Sequence, residues 1–146
     1  NRDDFMSSVI DRVLVDFIDS MLAAAGTGDD LMEIIGRFVK AVSQGQVPLM
    51  GQQRRMIELL TRGGSRTDKL RAGAKVLLQG ALERLSSAAA SGQASGKVRS
   101  TVPPELIATW LLAAALGLTT LLDLDVQVDG TRLADSARDL LRIEPA

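Results

Sequence analysis

Chemistry in this chain would have to come from its carboxylates. Its 146 residues include no His and no Cys, which removes the commonest general base, the commonest metal ligand, the thiolate nucleophile and any disulfide. Two acidic groupings remain: Asp29 and Asp30 with Glu33, and Asp123 with Asp125. Side by side, such groups suit an acid/base pair or a hard-cation site. Both groupings, however, fall at helix boundaries, where carboxylates cap free N–H groups and complement the helix dipole. Capping is the reading these positions favour. With no nucleophile-and-base constellation left, the expectation is no catalytic residue, no metal and no cofactor, hence not an enzyme.

Composition points instead to binding and packing. Hydrophobic residues make up 46% of the chain, enough for one domain with a real core. Tyr is absent, and the only aromatics are Phe5, Phe17, Phe38 and Trp110, too few for the stacking platforms that hold single-stranded nucleic acid. The formal net charge of −1 also lacks the basic surface that phosphates demand. The charges are nonetheless uneven: residues 1–35 carry eight acids against Arg2 and Arg12, and residues 48–75 carry seven cations against Glu58 and Asp68. The basic stretch reads either as an anion or partner site or as a solvated helix face, and the second is favoured.

The elements that would position any site are helices. Phe5, Val9, Val13, Phe17 and Met21, with a parallel row at Ile10, Leu14, Ile18 and Leu22, form a wide stripe at helical period. Gly26-Thr27-Gly28 ends this first helix near residue 25. A second helix starts at Asp29 or Asp30, with Glu33 placed for a capping box, and runs to about Gln44. Pro48 opens a third, which Gly63-Gly64 stops. Ser65-Arg66-Thr67-Asp68 starts a long fourth helix whose apolar face continues from Leu70 through Leu77, Leu85 and Ala89 until Ser91–Gly96. Pro103-Pro104-Glu105 opens a fifth, and Asp129 caps a short amphipathic sixth.

The fifth helix is apolar on nearly every side. Between Leu106 and Leu118 only Thr109 is clearly polar, so all its faces should be covered. At about 17 residues, rich in Ala and Gly and without flanking cations, it is a poor membrane span. One face is expected on its own domain and another on a second chain, with Ala108, Ala113, Ala114, Ala115 and Gly117 permitting close approach. Two such pairs of helices, the fifth and sixth of each subunit, would form a four-helix dimer interface about a two-fold axis.

Residues 93–108 carry a family resemblance. Gln93-Ala94-Ser95-Gly96-Lys97-Val98-Arg99, then Val102-Pro103-Pro104-Glu105-Leu106-Ile107-Ala108, is similar to a helix ending in a G-x-(hydrophobic)-R turn followed by P-E-x-x-A. Leu116-Gly117-Leu118 and the opening Asn1-Arg2-Asp3-Asp4-Phe5 fit the same pattern. Together they resemble the C-terminal ligand-binding and dimerisation domain of TetR-family (tetracycline-repressor-like) transcriptional regulators, over essentially the whole chain. The resemblance implies an all-α fold of about six helices, an orthogonal or antiparallel bundle of the TetR C-terminal type spanning 1–146. It further implies a homodimer, and a repressor whose operator DNA binding belongs to an N-terminal helix-turn-helix that is not in this sequence. The absence of an initiating Met at the edge of an amphipathic helix agrees with a piece of a longer protein, and with no signal peptide in view the expected location is cytoplasmic.

On that reading the first four helices enclose a site for a small hydrophobic effector. Phe17 and Met21, Phe38, then Met50, Met56 and Ile57 are candidate contacts, with Leu77, Leu78 and Trp110 closing the cavity. Each is equally an ordinary core residue by type and spacing. Leu111, Ala114, Ala115, Leu118 and Leu122 on the fifth helix, with Leu133, Ala137, Leu140 and Leu141 on the sixth, are the expected dimer interface. The competing reading is a helical protein–protein interaction or adaptor domain that takes no small molecule.

Overall fold

A computed structural model describes residues 28–44 and 65–142, together with residues 2, 5, 8, 9, 12, 15, 16, 20, 23–26, 54 and 58. Among them every regular element is helical, and the fold is all-α. Four helices are bounded: α1 is Leu31–Ser43, α2 is Ser65–Ala94, α3 is Pro104–Asp123 and α4 is Gly130–Leu141. The described positions between residues 2 and 25 are helical as well, and so are Arg54 and Glu58.

The boundaries follow local chemistry. Asp30 caps α1, its carboxylate accepting from the Met32 and Glu33 N–H groups at 2.9 and 3.1 Å. Glu33 does not complete a capping box; it turns forward to Arg37, 3.7 Å away. Asp129 caps α4 by accepting from Arg132 N–H at 3.1 Å. Pro104 sits in the first turn of α3, where no N–H is missed.

The G-x-(hydrophobic)-R stretch has a physical explanation. Gly96 adopts φ +72°, and the Lys97 N–H then reaches the Gly92 carbonyl at 2.8 Å while the Gly96 N–H reaches Gln93 at 3.1 Å. This is a Schellman C-cap, which a β-carbon would strain. It folds Val98 onto Gly92, whose missing side chain makes the room, and Val98 is 1% exposed. Gln93 steadies the rest of the turn, donating from Nε2 to the carbonyls of Arg99 and Val102, both at 2.8 Å. Finally the Arg99 N–H donates to Leu141 O at 2.7 Å, tying the end of α4 to this turn.

The helices pack as two antiparallel pairs. α2 lies along α3, and α4 lies along α1. The second pair comes close because Gly36 faces Arg138 and Gly130 faces Ser43 and Val39. Hence α4 takes α1 as its main neighbour within the protomer, not α3. The pairs meet where Leu31, Ala88, Ala89, Val98, Ile107 and Ala108 are all buried. Only one face of α3 is covered: Ile107, Leu112 and Leu118 are buried, whereas Leu106, Trp110, Leu121 and Leu124 are exposed. That α3 is also the one helix among the described residues long and apolar enough to cross a membrane reflects this uncovered apolar face.

Ala89 has no exposed surface, so an Ala89→Leu substitution forces larger atoms between α2 and its neighbours. It should cost about 1–3 kcal/mol, read as a lower urea midpoint with an unchanged slope. A neutral result would contradict the tight junction described here.

Candidate functional site

The two helix pairs diverge away from their junction and leave a cavity of about 390 Å³ between them, within the usual range of about 300–1,000 Å³ for ligand sites. Ile34, Ile35, Phe38 and Val39 of α1 form one wall, and Val76, Leu77, Leu78, Gly80, Ala81, Arg84 and Leu85 of α2 supply another. Leu111, Leu112, Ala114, Ala115 and Leu118 of α3 face them, and Leu133 and Ala137 of α4 complete the lining. Ala25, at the end of the first helical stretch, also reaches it.

The geometry follows from the sequence pattern of each wall. On α1 the apolar positions 31, 34, 35, 38, 39 and 42 make one broad face. Its inner part packs in the core, and Phe38, half-buried, is turned to the gap. On α2, Leu77, Ala81, Arg84, Leu85 and Ala88 recur at helical spacing. The smaller Gly80 and Ala81 face the middle of the gap, so volume is missing there instead of being filled.

Among the described lining residues Arg84 alone has a hydrogen-bonding side chain. Its Nη2 donates to Gly26 O at 2.7 Å and Gly28 O at 2.8 Å, holding the turn that follows the first helical stretch. Gly26 has φ +72° there, the left-handed conformation of a helix C-cap. Around the same turn, Arg37 contacts Gly26 and pairs with Glu33.

The acidic groups that might have done chemistry are otherwise engaged. Asp30 caps α1, and Lys97 stands 4.0 Å from it. Asp123 accepts a two-point ion pair from Arg54, with Nε at 3.0 Å from Oδ2. The hydrogen bond from Arg54 pulls the Asp123 carboxyl below its ordinary range and raises the guanidinium in return. Asp125 takes φ +59° and forms the C-cap of α3, with the Val126 N–H bonded to Leu121 O at 3.0 Å.

Of the effector contacts expected from sequence, Phe38, Leu77 and Leu78 line the cavity. Trp110 does not: it is 76% exposed on the outer face of α3, so its N–H needs no protein partner. Phe17, Met21, Met50, Met56 and Ile57 lie outside the described residues. The expected interface set is divided. Leu111, Ala114, Ala115, Leu118, Leu133 and Ala137 face the cavity, Leu122 and Leu141 pack on the core, and Leu140 is exposed. A helix apolar all round offers no polar side to mark its outer face, and Ala114, which borders the cavity, is also exposed. Sequence reasoning also passed over Arg84, whose signal was a charge set seven residues after Leu77 within an apolar stripe.

No family model, curated protein or solved structure matches the chain.

Because Ala81 borders empty apolar space, Ala81→Leu should raise stability by about 0.5–2 kcal/mol, measured by thermal unfolding. A loss of that size would mean that the space is already filled.

Proposed function

We propose that this chain is the effector-binding, dimerising domain of a transcriptional regulator of the TetR type, a repressor whose DNA binding is modulated by a small apolar molecule. The observation that carries the reading is the cavity: a space between two helix pairs whose described lining is apolar apart from Arg84. The turn motif at residues 93–108 and its physical fit to the fold add to it.

The mechanism would be one of differential affinity. Arg84 touches both the cavity and the turn after the first helical stretch. A ligand that prefers one spacing of the walls therefore also biases that stretch. In the parent protein this stretch would carry the DNA-binding head, and its displacement would set the separation of two heads on operator half-sites. The cytoplasm is the expected compartment for that role.

The homodimer would form on the face of α3 that the protomer leaves uncovered, through Leu106, Trp110, Leu121 and Leu124, with Leu140 of α4 nearby in sequence terms only. A second reading, a helical adaptor that binds another protein and no small molecule, rests on this same exposed apolar face.

Two measurements decide between them. Uncharged 1-decanol should raise the melting temperature in a saturable way, since a ligand of the folded state at a hundred times its Kd adds about 2.7 kcal/mol. No shift would leave only the adaptor reading. The coding sequence immediately upstream of Asn1 should encode a helix-turn-helix, and its absence would remove the regulator reading. Sedimentation should show a dimer at micromolar concentration, and Trp110→Glu should convert it to a folded monomer. A wild-type monomer would refute the interface.

A further inference from the structure

Among the described lining residues Arg84 carries the one charge, and no carboxylate of the described residues neutralises it. The neighbouring guanidinium of Arg37, by contrast, is matched by Glu33 at 3.7 Å. The hydrogen bonds of Arg84 run to backbone carbonyls, and both use Nη2. A guanidinium has five N–H donors in a rigid fork. Thus the two on Nη2 hold the turn, and the N–H donors on Nε and Nη1, which point in different directions, are left for other acceptors.

We infer that the cavity takes an amphiphile with a carboxylate at one end, its apolar body lying among Phe38, Leu77, Ala81 and Leu118 and its carboxylate on an N–H of Arg84 that the turn does not use. This rests on the reading of the cavity as an effector site and adds the chemical class of the ligand. The argument is one of complementarity. A half-buried cation at the border of an apolar space has lost hydration that only an acceptor can return, and an anion returns the most. The other described walls offer no hydrogen-bonding side chain, so they accept the body of a ligand without selecting its head. Selection of the head falls to Arg84, whose charge favours a carboxylate over a hydroxyl.

Isothermal titration of the intact chain with decanoate, 1-decanol and decyltrimethylammonium, each below its micellar concentration, tests this. Decanoate should bind about tenfold more tightly than decanol, the value of one good charge-assisted contact, and the cation should bind most weakly. Arg84→Lys should keep most of the preference, and Arg84→Met should abolish it. Equal affinities for decanoate and decanol in the wild type would overturn the inference and leave the apolar site standing. So would a preference that survives in Arg84→Met. If neither compound binds, the cavity is not a ligand site and both readings fall. Should Arg84→Met not fold, the comparison of the three compounds on the wild type and on Arg84→Lys still decides.

Discussion

Everything in this fold depends on how closely two helix pairs can approach at one end. Ala88, Ala89 and Gly92 on α2 have almost no side-chain bulk, and Leu31 of α1 and Val98 are buried beside this stretch. Interiors pack at nearly crystalline density, so a junction of small residues sets helix positions far more tightly than one of large, adaptable ones. The other features of the chain are consequences of that contact. The turn at 95–103 exists to bring Val98 into it, and the bond from Arg99 to Leu141 brings the end of α4 there too.

Away from the junction the same helices carry residues that do not meet. α1 is the clearest case: Leu31 and Val42 are buried in protein, while Phe38 and Val39 also border open space. A stability argument alone would favour larger residues than Gly80 and Ala81 on the facing wall, because an unfilled apolar space forfeits dispersion contacts. The sequence forgoes that stabilisation at one place, and that place holds the one cation among the described lining residues. Low packing and an isolated charge in the same location are what a binding site requires.

Much of this was legible from residues alone, and for identifiable reasons. Asp30, Gly96, Pro104 and Asp129 act through local backbone chemistry, so their types reveal the helix boundaries without knowledge of the fold. The all-helical class follows from the spacing of apolar residues in the same way. The choice of faces on α3 was not legible. A helix whose residues are apolar in every direction carries no contrast between inside and outside, and only contact with α2 shows that Leu112 and Leu118 turn inward while Trp110 turns out. Arg84 was missed because a single charge in an apolar stripe looks like a helix-surface residue until the turn at Gly26 is brought to it by tertiary structure. The cavity shares this property, since volume is a relation between elements.

The tie between Arg99 and Leu141 has a mechanical side. With Asp30 near Lys97 and Leu141 bonded to the same turn, the start of α1 and the end of α4 are both fastened to the segment that joins α2 to α3. A substitution in that short segment therefore acts on all four helices at once, because each has one end that depends on it.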